Sequence, residues 1–133
     1  EEVSKISLNG SGEIKGALTL KTAKLKLSVS GSGDIKVAAD AMAIKAAISG
    51  SGDIDVSGKA DALEASVTGS GDINAKSLKV NNATAHITGS GDITAHAKNL
   101  ISVKIVGSGD VNVNRDVATT NKKVVGSGSI NKY

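Results

Sequence analysis

The sequence predicts an all-β protein, a right-handed parallel β-helix (β-solenoid) of seven coils of about 19 residues, and three observations carry this prediction. Gly-Ser-Gly occurs seven times, with first glycines separated by 21, 19, 19, 20, 18 and 19 residues. Aliphatic and polar residues alternate around each triplet, and this period of two indicates strands. One such unit cannot bury its own apolar face, whereas stacked copies can. We therefore expect a single domain over residues 1–133.

The right hand follows from coil length and chirality. Left-handed solenoids built on hexapeptides keep a nearly strict 18-residue coil, whereas the intervals here vary from 18 to 21. Parallel crossovers favour the right hand in general. A helical repeat is excluded, because it would space apolar residues by three and four and the glycine triplets would interrupt it in every coil.

Each coil carries the same aliphatic positions, which we expect to line the lumen. Two residues before the triplets stand Leu8, Val29, Ile48, Val67, Ile87, Ile105 and Val124. Four residues after each first glycine stand Ile14, Ile35, Ile54, Ile73, Ile93, Val111 and Ile130. Stepping back by two from the first set gives Ile6, Leu27, Ala46, Ala65, Ala85 and Val103.

The triplets are predicted to form corners with Ser51 and its equivalents pointing outward. Both Gly50 and Gly52 fall on the inward phase of Ile48 and Ile54. A side chain there would collide with the stacked coils, and glycine can also adopt the positive φ that a turn requires.

Composition excludes several functions. The chain is 39% hydrophobic with no Cys, Phe, Trp or Pro, and Tyr133 is its only aromatic residue. Disulfides, thiol catalysis, cysteine metal sites and aromatic platforms for sugars or bases are therefore excluded. The net charge of +3 is small and scattered, which argues against nucleic acid as a partner. No apolar run is long enough for a membrane span.

One acidic position recurs after the triplets, and it has two interpretations. It is occupied by Glu13, Asp34, Asp53, Asp72, Asp92 and Asp110, with Ser129 in the last coil. Stacked carboxylates about 4.8 Å apart repel by about 0.9 kcal/mol per pair even in water. We expect serine hydroxyls or turn amides to compensate. The alternative is a run of Ca²⁺ sites resembling nonapeptide calcium rolls, but those carry the motif on both sides of the coil.

No residue is predicted to be catalytic, to ligate a metal or to bind a cofactor. His86 and His96 fall on the outward phase without a second ligand type, and we interpret them as surface residues. Arg115, the only arginine, has no flanking pair of carboxylates. Coil length varies too little to build the inserted cleft of a solenoid enzyme. A serine-rich outer ladder is interpreted as a solvated face, with ice binding as an alternative.

The repeat resembles a known family. Ser-Gly-Ser-Gly-Asp-Ile, Thr-Gly-Ser-Gly-Asp-Ile and Val-Gly-Ser-Gly-Asp-Val recur and end in Gly-Ser-Gly-Ser-Ile-Asn-Lys-Tyr. These motifs are similar to bacterial auto-transporter adhesin head domains, also called GIN domains, and to a second adhesin family of β-strand repeats. The resemblance implies a β-helix exported to the cell envelope or surface, with its signal peptide removed, and it supplies no catalytic residues.

From these observations we expect a non-enzymatic structural or adhesive solenoid. A glycan-binding or carbohydrate-active module is the alternative. We also expect end-to-end self-association into filaments, because Ile6, Leu8 and Ile14 at one end and Val111, Val124 and Ile130 at the other are predicted to be uncovered. Glu1 and Glu2 could then meet Lys122, Lys123 and Lys132.

Overall fold

The computed structural model is a parallel β-solenoid with a spacing of about 19 residues, as the sequence predicts, and it has about six turns where the triplets predict seven coils. It describes residues 3–114 and 118–132, with side chains at 5–15, 21, 23–114 and 118–131. Glu1, Glu2, Arg115 and Tyr133, together with the side chain of Lys132, lie outside this description.

Nine strands make up the described part of the chain and join in one sheet. They are β1 (Val3–Gly10), β2 (Glu13–Gly31), β3 (Asp34–Gly50), β4 (Asp53–Gly69), β5 (Asp72–Gly89), β6 (Asp92–Gly107), β7 (Asp110–Val113), β8 (Thr119–Val125) and β9 (Ser129–Lys132). Each long strand bends around most of one coil and pairs in parallel with the coil on either side. The right-handed sense of the coil stays a prediction.

The register aligns equivalent positions of the repeat. Gly31 pairs with Gly50, Gly50 with Gly69, and Gly69 with Gly89. The unequal coil lengths are absorbed by register shifts after the triplets, for example between Ala75 and Lys79. The corners and the aliphatic positions therefore stay stacked although the intervals differ.

The core consists of aliphatic side chains and alanines in stacked inward columns, as the period of two predicts. Ala46, Ala65 and Ala85 are at most 1% exposed. The larger side chains of Ile54 and Ile105 are buried to the same degree. Leucine, isoleucine, valine and alanine together fill the lumen without aromatic residues.

The prediction that both glycines of a triplet face the lumen is corrected by the structure, because only the second glycine does so. The first glycine has positive φ in every triplet, as at Gly50 (φ 120°). A Cβ on Gly50 would lie 2.6 Å from the carbonyl oxygen of Gly31, so it would point along the solenoid axis and not into the lumen. Gly52 is the glycine that faces the lumen. A Cβ added to it would overlap Val29 Cγ1 and the carbonyl oxygen of Gly33, and its φ is not positive.

A second corner, which the sequence reasoning missed, lies between the two halves of each coil. There two consecutive residues face outward, as at Met42 and Ala43 or at Asp61 and Ala62, and the inward phase shifts by one residue. Ala41 and Ile44, which flank the first of these pairs, are both buried. No glycine marks this corner, which is why the triplets did not reveal it.

The C-terminal coil is the open apolar end that the sequence predicts only in part: Val124 is 37% exposed and Ile130 is partly buried, whereas Val111 is covered. Val111 is fully buried because β9 pairs with β7 and covers it. Lys122 occupies the column that Val103 occupies one coil earlier, and Thr120 follows Ile101 in the same way. The hydroxyl of Thr120 is buried without a hydrogen-bond partner. The last coil therefore places polar residues where earlier coils have aliphatic ones.

Candidate functional site

The acidic column (Glu13, Asp34, Asp53, Asp72, Asp92 and Asp110) runs along the triplet corner, in register from coil to coil. The prediction that turn amides compensate the carboxylates is confirmed in its last three coils. The amides of Asp92, Asp110 and Ser129 donate to the Oδ1 atoms of Asp72, Asp92 and Asp110, each at 3.2 Å. Each carboxylate thus accepts a bond from the next coil.

The carbonyl oxygen of the second glycine also accepts an amide at this corner, in the earlier coils and, from the Ser129 amide to Gly109 at 3.3 Å, in the last one. The amides of Asp53 and Asp72 donate to the carbonyl oxygens of Gly33 and Gly52 at 3.2 Å. Glu13 pairs instead with Lys15, Nζ to Oε1 3.1 Å, in an exposed ion pair. An exposed pair of this kind contributes little stability.

Asp72 is the carboxylate of the column whose pKa is shifted by its surroundings. Partial burial raises the pKa of Asp72, the hydrogen bond from the Asp92 amide opposes that rise, and the charges of Asp92 and Asp53 add to it. Within the described residues, no three His, Asp or Glu side chains form a group that could hold a metal ion. The hydrogen bonds of Asp72, Asp92 and Asp110 link each of these coils to the next one.

A groove runs along the solenoid beside the second corner and has a volume of about 860 Å³. We call it the cationic groove. Its floor consists of the inward residues Ala41, Ala60, Val80 and Ala97. One rim carries Lys21, Asp40, Lys59, Lys79 and His96, and the other carries Met42, Asp61, Asn81 and Lys98. The strand register places the residues of the first rim in successive coils.

The charges of the groove are unequal. Four lysines, Lys21, Lys59, Lys79 and Lys98, face two carboxylates, Asp40 and Asp61. Within the described residues none of these four ammonium groups forms an ion pair. Asp61 accepts a hydrogen bond from the Asn81 side-chain amide at 3.2 Å. The lysines are therefore available to a ligand.

Asn114 closes one end of the groove and is the one buried polar side chain of the described core. Its Oδ1 accepts from the Ala97 amide and its Nδ2 donates to the Ala97 carbonyl, both at 2.8 Å. The side-chain amide thus takes the place of a further strand at the edge of β6. Sequence reasoning missed this residue, because an asparagine at a strand end looks like an ordinary turn residue.

The histidines occupy the outward positions predicted for them, and both are half-buried. His96 lines the cationic groove, whereas His86 lies on another face beside Lys104 and Lys123. The structure does not bring them together. The described residues contain no helix that is long and apolar enough to cross a membrane.

Comparison with known proteins finds both a family and a relative. The family model described as "Putative auto-transporter adhesin, head GIN domain" matches residues 1–116. A solved structure from Parabacteroides distasonis, described as a "Putative lipid binding protein", is 32% identical with a TM-score of 0.93. The match covers 97% of this chain and 52% of the other, so this chain spans about half of that relative's length. No curated protein matches.

Proposed function

Because the chain belongs to the family of auto-transporter adhesin head GIN domains, we propose that it is a non-enzymatic adhesive module of the cell surface or envelope. The observation that carries the proposal is the parallel register of its long strands, which aligns the triplet corners and the outward positions beside them from coil to coil. Outward positions stacked in this way, such as the acidic column, suit binding to another repetitive surface better than chemistry at one centre.

The adhesive role is tested with beads coated with the chain and held under flow over immobilised surface polymers. We expect retention on at least one anionic or neutral polymer, and no retention of beads coated with the heat-unfolded chain. If beads coated with the folded chain and beads coated with the unfolded chain were washed away equally from every polymer, the proposal would be contradicted. Release of reducing ends from soluble glycans would instead favour the alternative, a carbohydrate-active module.

Lipid binding is a second candidate, since the solved relative is described as a lipid binding protein. Exposed apolar side chains support it: among the described residues Met42 is 65%, Val125 54%, Val106 38% and Val124 37% exposed. Val106 and Val125 are register neighbours, whereas Met42 lies at the second corner, so the four do not form one continuous apolar patch. We therefore place this function after adhesion.

End-to-end self-association is a further proposal, and the structure contains one feature for it and one against it. The register that pairs Gly107 with Gly126 would, if continued, set the next copy's Gly10 above Gly126, and strand β1 pairs on one side only. The same register would enclose Lys122 between Val103 and the next copy's Ile6. Burying that ammonium without a partner costs several kcal/mol.

A further inference from the structure

We propose that the cationic groove binds a linear acidic polysaccharide, with the chain lying along the solenoid axis. This inference rests on the proposed adhesive function and names the class of its ligand. It depends on three features of the groove: its direction along the axis, its excess of lysines, and a floor whose backbone is already paired with neighbouring coils.

The direction of the groove suits a linear polymer. Its first rim follows the register from Lys21 through Lys59 and Lys79 to His96. Four intervals between coils at about 4.8 Å make this rim about 19 Å long. A ligand that fills it is therefore long and narrow, and it meets charged groups at a regular spacing.

The charge of the groove favours an anion, above all in its second half. Lys59 and Lys79 are register neighbours in adjacent coils. Lys98 stands on the opposite rim, so three ammonium groups surround the floor at Val80 and Ala97. The nearby carboxylate of Asp61 is engaged by Asn81. Carboxylate or sulfate groups along a ligand would form charge-assisted hydrogen bonds with these lysines.

The backbone and the composition of the groove argue against other anionic polymers. The floor residues Ala60 and Val80 already pair with neighbouring coils, so an acidic peptide cannot add itself as a strand. Single-stranded nucleic acid stacks successive bases on aromatic side chains, and the groove is lined by no Phe, Tyr or Trp and by one imidazole, that of His96. A polysaccharide needs neither feature, because its hydroxyl and acidic groups bind to side chains.

The test uses the folded chain, polygalacturonate fragments as the acidic probe and neutral dextran fragments as the control ligand. Lys59→Glu with Lys79→Glu reverses the charge of the groove. The matched control is Lys26→Glu with Lys45→Glu, because these lysines are also exposed register neighbours but lie on another face. Thermal unfolding confirms that both double variants fold.

We expect polygalacturonate to bind the original chain, and the groove variant to bind at least about tenfold more weakly in calorimetric titration. The control variant should stay within about twofold, and dextran should not bind. Added salt should weaken the binding, since the contacts are solvent-exposed ion pairs.

Three results would overturn the inference: equal weakening in both double variants, tighter groove-dependent binding of a single-stranded oligonucleotide or anionic phospholipid vesicles, and no binding of polygalacturonate. The bead assay separates this failure from failure of the proposed function. If groove-variant beads are still retained under flow, adhesion stands and only the assignment of its ligand falls.

Discussion

At the scale of single residues, the repeated glycines are explained by two separate requirements. Gly50 needs positive φ, which turns its carbonyl toward the next coil, where the Ser70 amide donates to it at 3.0 Å. Gly52 needs the absence of a side chain in the lumen. The recurring triplet predicts a glycine corner. A repeat does not reveal the φ angle of each glycine, so only the structure shows that Gly50 and Gly52 have different roles.

The first prediction compares Gly52→Val with Ser51→Val. A side chain at Gly52 would overlap Val29 and the Gly33 backbone, and overpacking of this kind costs about 1–3 kcal/mol or more. Ser51 is exposed, so its replacement should change the free energy of unfolding by less than about 0.5 kcal/mol. Denaturant unfolding of both variants measures the difference. Similar midpoints would contradict an inward position for Gly52.

The second prediction concerns the pH dependence of Asp72. Its pKa is raised on folding, so the folded state holds this proton more tightly than the unfolded state. Stability therefore falls as pH rises from the ordinary aspartate pKa of about 3.9 through the raised value. Asp72→Asn removes this loss and its side-chain oxygen can still accept the Asp92 amide.

We expect Asp72→Asn to be more stable than the original chain at pH 7 and to show a smaller gain at pH 3. The difference between the two gains should be less than about 1 kcal/mol, because the carboxylate is largely exposed. Thermal unfolding at the two pH values measures it, with Asp40→Asn, which lies outside the acidic column, as the control. A variant that gains more at pH 3 than at pH 7 would show that the carboxylate is stabilising in its charged form.

At the scale of strands, the period of two predicts the inward columns because aliphatic and polar residues alternate near most of the triplets, with Val106 and Val125 as outward exceptions. The second corner was not predicted, although a signal exists. Buried Ala41 and Ile44 are three residues apart instead of two, so one phase cannot serve the whole coil. The cationic groove lies beside that corner, and it was missed together with it.

The third prediction concerns the edge of β6, where Asn114 takes the place of a strand. Asn114→Val leaves the amide and carbonyl of Ala97 without partners in a buried position. Each unsatisfied group costs about 1–3 kcal/mol, so with two such groups the free energy of unfolding should fall by about 2–6 kcal/mol.

Asn112→Val is the control for Asn114→Val, since Asn112 has an exposed bond with Asn131 at 3.2 Å. Its replacement should cost no more than about 0.5 kcal/mol. Hydrogen exchange at the Ala97 amide provides a second measurement, and unchanged protection in Asn114→Val would show that the side-chain bonds do not hold this edge.

At the scale of the whole molecule, the polar residues of the last coil oppose the proposed end-to-end association. Lys122 and Thr120 stand in columns that are aliphatic in the preceding coil. The sequence pattern predicts apolar residues at both ends, because the inward column that begins at Ile6 was followed only as far as Val103. The register shows that the column of Val103 continues into Lys122 and the column of Ile101 into Thr120.

The fourth prediction is that Lys122→Val promotes end-to-end association. It removes the charge that a continued stack would enclose, so sedimentation at high concentration should shift toward larger species than those of the original chain. Adding Ile6→Lys or Ile130→Asp should reverse the shift, because either change places a new charge at the proposed contact. Insensitivity of the larger species to both additions would remove this interface.

The direction of the backbone ladder has a mechanical consequence. The bonds between coils, such as those from the Ser51 amide to Gly31 and from the Ser70 amide to Gly50, run along the solenoid axis. A pulling force along that axis therefore loads the hydrogen bonds of one coil at a time, as in peeling, whereas a force across the coils shears many bonds together. A ligand lying along the groove loads several coils at once, so it would resist detachment more strongly than a tether at one end.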